Sequence, residues 1–324
     1  MSNHPVIETV VERIRTDVIG GAADTAKEVV AALVSLVKDS QVEDTNAFIS
    51  EVEKAVVDIM HVMPSLAPPI NAMHCVLGAM EEAFNQGSSI PEIKSAVKQA
   101  ADDFSKSIEG ALDKVAQYGA EKIRDGDTVF MYSMSSTVWR ILRHAKSKGK
   151  SFNVVVTESR PANEGLLTIT EMQKYDIPVA VSIDACIGEL IPQCDVVFVG
   201  ADAISSHGFA LCKVGTYPSA LVAHAHGVPF YIAADTLKFD SSTLLGLPFR
   251  VDSIRRHEVL GDQKYSDLVK VVGVLFDETP PHLVTAIITE IGLLNPTACF
   301  SVMSQMRHSQ KLSALLPAWV KNEL

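Results

Sequence analysis

The 324-residue sequence predicts an α/β protein, in which a helical N-terminal domain is followed by a doubly wound parallel sheet. Apolar residues recur every three or four positions as far as about residue 120, which is the spacing of amphipathic helices. Beyond residue 126 they form short β-branched runs that alternate with helix-like segments, as in parallel sheets covered on both faces. We therefore expect two domains, residues 1–120 and residues 121–324.

The N-terminal domain is predicted to contain four or five helices, each with one buried face. Its clearest apolar stripes are Val29, Val30, Leu33, Leu36 and Val37, and then Phe48, Val52, Val56 and Ile59. Clusters of glycine, proline and serine separate the stripes, and these residues favour turns. The last helix should run from about Pro91 to Tyr118.

The second domain is predicted to consist of short apolar strands with helices between them. The predicted strands are Thr128–Tyr132, Asn153–Thr157, Pro178–Ile183, Asp195–Val199, Pro229–Ala233 and Val271–Leu275. The predicted helices are Val138–Ser147, Glu164–Tyr175 and Thr216–His226. Because crossovers between parallel strands are right-handed, they favour an open, Rossmann-like doubly wound sheet. Ligands of such sheets bind beyond the carboxyl ends of the strands, so we expect the functional site there.

Composition and charge argue against several classes of function. The chain has 28 Lys and Arg against 39 Asp and Glu, a net charge of −11. This balance disfavours nucleic acid and anionic membrane lipids as partners. No apolar run reaches the roughly 18 residues of a membrane span. The acidic residues Glu8, Glu12 and Asp17 interrupt the apolar stretch that a signal peptide needs, so we do not expect secretion.

Cysteine, histidine and glycine patterns argue against disulfides, metals and cofactors. The five cysteines are odd in number and form no CxxC pair, which favours a cytoplasmic protein with free thiols. His224 and His226 lie two residues apart in a predicted helix and so point to different faces, which disfavours a shared metal. No predicted strand is followed by GxGxxG, and no phosphate-binding P-loop is present, so we expect no cofactor.

The first two predicted strands end in hydroxyl and basic residues. Ser133 and Ser135 follow the first strand, where hydroxyl oxygens can either cap the next helix or help to bind an anion. Arg160 follows the second strand. Its guanidinium can either bind a phosphate through two N–H groups or pair with Glu158 or Glu164 at the surface.

The fourth predicted strand is followed by a carboxylate, and a lysine comes soon after. Asp202 lies among apolar neighbours, where a carboxyl group can have a raised pKa and transfer protons, although a lone Asp is more often a turn residue. Lys213 can neutralise a phosphate as a point charge. A further polar cluster, Ala234–Asp240, follows the fifth strand. Each signal is weak alone, and their shared position at strand ends predicts the site.

Four sequence blocks, in order and spacing, resemble one superfamily. They are Val155–Pro161 (VVTESRP), Val199–Ile204 (VGADAI), Lys213–Tyr217 (KVGTY) and Pro229–Asp240 (PFYIAADTLKFD), with a fitting late segment at Phe276–Gly292. On these residues the chain resembles methylthioribose-1-phosphate isomerase, ribose-1,5-bisphosphate isomerase and the regulatory alpha, beta and delta subunits of translation initiation factor 2B. The resemblance extends over most of the chain, including the helical N-terminal region.

The resemblance implies a sugar-phosphate-binding Rossmann-like domain, a homodimer or higher homo-oligomer, and a phosphorylated sugar as the ligand. In the isomerase branch an aldose 1-phosphate becomes a ketose 1-phosphate. There the matching aspartate, Asp202 here, transfers protons, and the residues that match Arg160 and Lys213 bind phosphate. The stretch from Thr157 to Gly165 and the early Gly21-Ala22 pair resemble the ribose-1,5-bisphosphate isomerases in particular, which implies a phosphorylated pentose.

The chain departs from the isomerase pattern at three positions. Ser133 stands where the isomerases have their catalytic Cys, Cys212 where an Asn precedes the lysine, and Gly20 where an Arg precedes the Gly-Ala pair. Two functions follow from the resemblance. The first is an isomerase with Asp202 and Ser133 as catalytic residues. The second is a non-catalytic regulatory subunit, similar to the alpha subunit of factor 2B, that senses a sugar phosphate or nucleotide.

Overall fold

The computed structural model describes residues 4–16, 22–63, 67–249, 251–306 and 308–321. The chain forms two compact units. The helical unit consists of Met1–Glu109, Phe239–Arg250 and Ser301–Leu324, and the sheet unit consists of Gly110–Lys238 and Val251–Phe300. Two late segments thus group with the N-terminal helices, and the division into domains 1–120 and 121–324 stays a prediction.

The N-terminal part of the chain is helical, as its apolar spacing predicts. Its helices are α1 (Pro5–Arg15), α2 (Ala22–Asp39), α3 (Thr45–Val62), α4 (Ala67–Asn85) and α5 (Ile90–Ala120). Asp44 caps α3, because its carboxylate accepts a hydrogen bond from the backbone N–H of Ala47 at 2.8 Å. The apolar stripes predicted for α2 and α3 are buried, as Leu33 and Phe48 show.

The strands of the second part follow the predicted pattern. In chain order they are β1 (Thr128–Met131), β2 (Asn153–Thr157), β3 (Val179–Ser182), β4 (Val196–Gly200), β5 (Ala203–Ile204), β6 (Ala210–Lys213), β7 (Phe230–Ala233), β8 (Phe276–Thr279), β9 (Ala286–Thr289) and β10 (Gly292–Leu294). In the described ranges a seven-stranded sheet has the order β10-β9-β7-β4-β1-β2-β3. Its pairs are parallel except for β9–β10. The first five predicted strands are therefore confirmed.

The helices that follow α5 complete the α/β alternation. They are α6 (Ser136–Ser147), α7 (Gly165–Gln173), α8 (Ile187–Leu190), α9 (Thr216–His226), α10 (Arg256–Leu260), α11 (Cys299–Met303) and α12 (Gln310–Val320). Helices α6, α7 and α9 confirm the three predicted between the strands. No helix in the described part of the chain is both long and apolar enough to cross a membrane.

The sixth predicted strand, Val271–Leu275, is wrong. This run is β-branched but lies in an exposed loop, and the side chain of Val272 is 85% exposed. The strand instead begins at Phe276 as β8, which pairs antiparallel with β6 in a small sheet of order β5-β6-β8. A short apolar run indicates a strand only where other elements cover it, and nothing in the local sequence shows that.

The switch point of the large sheet lies between β1 and β4. Strand β1 pairs with β2 on one side and with β4 on the other, so the direction of winding reverses there. Open α/β sheets bind ligands at this point because the flanking connections diverge and leave a crevice. The chain is tight at this edge. A Cβ atom on Gly200 would lie 2.4 Å from Oγ of Ser135, so only glycine fits at the end of β4.

A buried histidine links three segments of the helical unit. Nδ1 of His74, on α4, accepts a hydrogen bond from the backbone N–H of Ser309 at 3.1 Å. The other nitrogen, Nε2, therefore has its hydrogen and donates it to Oγ of Ser241, also at 3.1 Å. Burial, and secondly the nearby His308, lowers the pKa of His74 from 6.5 to about 3. The imidazole is thus a neutral structural group.

Candidate functional site

The carboxyl ends of β1, β2 and β3 are joined by a run of side-chain hydrogen bonds. After β3, the carboxylate of Asp184 accepts bonds from the backbone N–H groups of Ser159 and Arg160, each at 2.8 Å. Oγ of Ser159 in turn accepts a bond from the backbone N–H of Ser133 at 2.8 Å. The strand ends predicted to form the site therefore meet at one edge of the sheet.

The backbone at two of these strand ends is held in the left-handed region. Ser133 has φ +61° and Ser159 has φ +60°. Non-glycine residues seldom adopt this conformation, and surrounding contacts must maintain it. Both residues are buried. The conformation fixes the direction of the Ser133 side chain at the end of β1.

The Ser133 side chain begins a polar chain that ends on Lys213. Its Oγ donates a hydrogen bond to Oε2 of Glu164 at 2.7 Å, and Oε1 of Glu164 lies 3.1 Å from Nζ of Lys213. The side chains of Glu164 and Lys213 are 28% and 12% exposed. Nζ of Lys213 also lies 4.7 Å from the centre of the Phe276 ring. A hydroxyl, a carboxylate and an ammonium thus form one connected group.

Asp202 lies just past the end of β4, as predicted. Its side chain is half-buried, and burial raises the pKa of its carboxyl above the ordinary value. The ammonium groups of Lys238 and Lys213 oppose this shift, whereas the charge of Glu164 adds to it. Desolvation is the largest effect, so the protonated carboxyl persists to higher pH than in a solvated aspartate.

Helix α9 begins next to Lys213, but its N-terminus is already bound by a carboxylate. Asp277 of β8 accepts a hydrogen bond from the backbone N–H of Gly215 at 2.7 Å and from that of Tyr217 at 3.1 Å. Burial raises the pKa of Asp277 to about 6, while these bonds act to lower it. Gly215 has φ +105°, and a Cβ there would lie 2.0 Å from the Tyr132 hydroxyl oxygen. Glycine is required at this turn on both counts.

The other predicted site residues have varied surroundings. Oγ of Ser135 accepts a bond from the backbone N–H of Val138 at 3.3 Å, which caps α6. The exposed Arg160 donates from its guanidinium to the carbonyl oxygen of Glu258 at 3.1 Å, and not to the carboxylates considered from the sequence. Cys212 is 1% exposed. Burial, with the negative charges of nearby aspartates, raises the pKa of its thiol well above the ordinary value.

Two further predicted residues belong to the helical unit. Ala22 is the buried first residue of α2. Gly21 lies outside the described residues. Their part in phosphate binding stays a prediction, as do the roles of the other site residues. Within the described ranges, no group of three or more His, Cys, Asp or Glu side chains is placed to hold a metal ion.

The sequence reasoning missed three carboxylates of this edge. Glu164 was considered only as a partner of Arg160, whereas it accepts from Ser133 and pairs with Lys213. Asp184 directly follows the third predicted strand. The expectation that site residues lie at the carboxyl ends of strands, which selected Asp202, could therefore have found Asp184 as well. Asp277 lies on an antiparallel strand of the small sheet, and nothing local connects it with the N-terminus of α9.

The fold and the strand-end residues define an α/β protein with a polar site at the switch point of a mainly parallel sheet. The chain belongs to the Initiation factor 2 subunit family, whose sequence profile matches residues 18–296.

Curated relatives have two kinds of name. A ribose 1,5-bisphosphate isomerase of Thermococcus kodakarensis is 30% identical over 299 residues, which cover 91% of this chain and 93% of the relative. A putative translation initiation factor eIF-2B subunit 2-like protein of Pyrococcus horikoshii is 32% identical over 289 residues, or 89% of this chain and 95% of the relative.

A solved structure supports the same fold. The translation initiation factor eIF-2B of Pyrococcus horikoshii OT3 matches with a TM-score of 0.72 at 30% identity. The match covers 90% of this chain and 98% of that one. The predicted superfamily and fold class, a helical N-terminal region followed by a Rossmann-like sheet, are thereby confirmed.

Proposed function

We propose that the chain is an aldose–ketose isomerase that acts on a phosphorylated pentose, in the manner of the ribose 1,5-bisphosphate isomerases to which it is similar. Relatives with that name match over more than nine-tenths of their length. The observation that carries the proposal is Asp202, a half-buried carboxyl at the switch-point edge whose pKa is raised by burial. A carboxyl with a raised pKa holds a proton more readily than a solvated aspartate, so it can donate a proton and take one back in the same turnover.

The reaction needs two separate proton movements. In an aldose 1-phosphate, C1 has the phosphate and the ring oxygen, and C2 has a hydrogen and a hydroxyl. To form the ketose, one hydrogen moves from C2 to C1, and one proton moves from the C2 hydroxyl to the ring oxygen as its bond to C1 breaks. Asp202 is assigned the second movement, because its carboxyl can protonate the ring oxygen and then take the hydroxyl proton.

The phosphate is proposed to bind through local positive groups. The chain has a net charge of −11, so its overall field repels an anionic substrate. Lys213 and Arg160 lie at the switch-point edge of the sheet unit and are proposed to supply the attraction. Ser135, Cys212, Gly21 and Ala22 were also predicted to contact the ligand. Because the Cys212 thiol is buried and stays protonated, we assign it no proton transfer.

The test is turnover by the purified chain. Ribose 1,5-bisphosphate and methylthioribose 1-phosphate are incubated with it, and ketose formation is followed. We expect conversion of the bisphosphate, and we expect Asp202→Asn to lower kcat by about 100-fold or more, since general acid–base catalysis contributes roughly that much.

Asp195→Asn is the matched control for this variant. Asp195 precedes the same strand at its opposite end, where it accepts a bond from the backbone N–H of Thr128 at 2.8 Å. An asparagine can accept the same bond, so activity should stay near that of the unmodified chain. No conversion of either sugar, or full activity of Asp202→Asn, would contradict the proposal.

A regulatory subunit is the second candidate. Ser133 favours it, because the family resemblance implies a thiol at this position in the isomerases. Relatives named eIF-2B subunit 2-like also have about the same identity to this chain as the isomerases. A ligand at a hundredfold excess over its dissociation constant stabilises a protein by about 2.7 kcal/mol. A rise in Tm with sugar phosphates or nucleotides, without turnover, would support this candidate. No rise with any of them would exclude a sensor.

Assembly and location follow the same proposal. We propose that the chain is cytoplasmic and forms a homodimer or a higher homo-oligomer, as the family resemblance implies. Light scattering during size-exclusion chromatography measures the mass directly. A mass of 35 kDa at micromolar concentration would show a monomer and contradict the oligomer.

A further inference from the structure

The Ser133 hydroxyl is bonded to a carboxylate. Its hydrogen is donated to Oε2 of Glu164 at 2.7 Å, and the backbone at φ +61° holds the side chain in that direction. A serine hydroxyl is by itself a poor proton carrier at neutral pH, because it gives up its proton far less readily than a thiol. A hydroxyl that donates a hydrogen bond to a carboxylate is a better proton carrier than an isolated one. The carboxylate can take the hydroxyl proton while the hydroxyl oxygen receives a second proton from the substrate.

Glu164 is held ready for such a transfer. Its second oxygen, Oε1, is 3.1 Å from Nζ of Lys213, which fixes the carboxylate from the side opposite Ser133. Its side chain remains 28% exposed. Solvent can therefore reach the carboxylate. The pair therefore has what a proton relay requires: a fixed hydroxyl, a carboxyl group that accepts its hydrogen bond and an opening toward solvent.

We propose that Ser133 and Glu164 act as one proton-transferring pair that moves the hydrogen from C2 to C1 of the sugar, the step for which the proposed function had no assigned residue. This inference rests on the proposed function. Ser133 touches the substrate, and Glu164 acts through it as a positioning and accepting residue.

In the first half-reaction the C2–H bond breaks and its proton passes to Oγ of Ser133, while the serine's own proton passes to Oε2 of Glu164. The electron pair of the C2–H bond forms the C1=C2 double bond. The bond between C1 and the ring oxygen breaks, and the ring oxygen takes its electron pair and a proton from Asp202. The product of this half is an enol that keeps the phosphate on C1.

In the second half-reaction Ser133 gives a proton to C1 as Glu164 returns one to Ser133. The double-bond electron pair forms the new C1–H bond, the C2 hydroxyl proton passes to Asp202, and C2 becomes a carbonyl. Every residue ends in its starting state. No external oxidant or reductant takes part.

The experiment compares four forms of the full chain on ribose 1,5-bisphosphate: the unmodified chain, Glu164→Gln, Ser133→Cys, and the double variant. Glutamine can keep a hydrogen bond to Ser133 but cannot take its proton. We expect Glu164→Gln to lower kcat by about 100-fold or more with KM changed by less than about tenfold. A thiol can transfer a proton without a neighbouring carboxylate. Adding Glu164→Gln to Ser133→Cys should therefore lower kcat by less than about fivefold.

This rescue separates a relay from a purely structural bond. If Glu164→Gln loses as much activity in the cysteine background as in the serine background, Glu164 only maintains the fold, and the inference is wrong. If Glu164→Gln keeps activity within about fivefold of the unmodified chain, the inference is also wrong. Glu171→Gln is the matched control and should keep full activity. It removes a carboxylate of α7 that lies 2.7 Å from Nζ of Lys174 and 3.7 Å from the guanidinium of Arg143.

Other outcomes distinguish the inference from the proposed function. If the unmodified chain is inactive and Ser133→Cys is active, the proposed substrate class stands and the Ser133–Glu164 relay is wrong. Inactivity of all four forms overturns both. If Glu164→Gln does not fold, Ser133→Ala replaces it in the test. That variant leaves the Glu164–Lys213 pair in place and must lose about 100-fold in kcat, and full activity would overturn the relay.

Discussion

Two polar networks among the described residues differ in the groups that form them. In the helical unit, His74 bonds to Ser241 and to the backbone of Ser309, and all three residues are at most 5% exposed. At the sheet edge, Ser133 bonds to Glu164, and the network continues to Lys213 through side chains that solvent reaches. In the first network each His74 nitrogen is bonded inside the protein, and Oγ of Ser309 donates onward to the half-buried carboxylate of Glu81. The second opens on charged groups.

This difference predicts what a substitution in each network should change. A neutral imidazole with both nitrogens bonded stabilises the fold and gains nothing from a proton, because burial penalises the charged form. An open network can exchange protons with a ligand or with water. Substitutions in the first should therefore change stability, and substitutions in the second should change turnover.

The largest expected effect on stability is that of His74→Ala. It leaves the Ser241 hydroxyl and the Ser309 N–H without their partner and opens a cavity, so we expect a loss of about 3 kcal/mol in the free energy of unfolding. Urea denaturation followed by circular dichroism measures it. Turnover per folded molecule should not change. His61→Ala, at an exposed position of α3, is the control and should cost less than about 0.5 kcal/mol.

The next effect is a dependence of stability on pH. The pKa of His74 is about 3 in the folded chain and 6.5 ordinarily, so the unfolded chain binds a proton first as the pH falls. The contribution of the neutral imidazole is full above pH 6.5 and is lost below it, by about 1.4 kcal/mol per pH unit until pH 3. Unfolding of the unmodified chain and of His74→Gln is compared between pH 7 and pH 5. An equal slope in both would show that His74 is not responsible.

The smallest effect concerns Ser135, at the edge of the open network. Its Oγ caps α6, so Ser135→Ala should lower the free energy of unfolding by about 1 kcal/mol. The exposed neighbour Ser136 supplies the control variant, Ser136→Ala, with a cost below about 0.5 kcal/mol. A tenfold rise in KM for the sugar phosphate would add the predicted phosphate contact to the capping role. An unchanged Tm would show that the cap contributes little.

Sequence patterns predicted the elements of this fold better than the contacts between them. Strands β1, β2, β4 and β7 follow directly from continuous apolar runs, because strands in the middle of a covered sheet have no polar alternation to disguise them. Strand β3 has an apolar run as well, although it is the edge strand and Val181 is exposed. The run at Val271–Leu275 has the same composition but lies in a loop, where only the tertiary structure decides burial. Strand β9 pairs with β7 and was not predicted as a strand. Its apolar run lies within Phe276–Gly292, which the sequence analysis used only as a segment that fits the superfamily.

The sequence predicted which residues follow the strands but not which of their side chains are bonded to one another. Ser133, Arg160 and Asp202 were selected because they follow predicted strands. In the structure, hydrogen bonds through Ser159 and Asp184 link Ser133 to Arg160. The bond from Ser133 to Glu164 joins residues 31 positions apart and depends on the left-handed backbone at Ser133. Residue type and spacing do not reveal such a backbone conformation when the residue is not glycine.

The helical unit is formed by segments that are far apart in the sequence, so the ribosome makes them at different times. Helix α4 is made early, yet the hydrogen bonds that His74 makes come from residues 241 and 309, which leave the ribosome much later. During most of translation the N-terminal helices therefore lack the segments that close their core. Contacts so distant in sequence form slowly, because a long loop must close first. In the sheet unit, pairs such as β1–β2 and β2–β3 join strands that are consecutive in the chain, so we expect them to form while the helical unit still lacks Ser309.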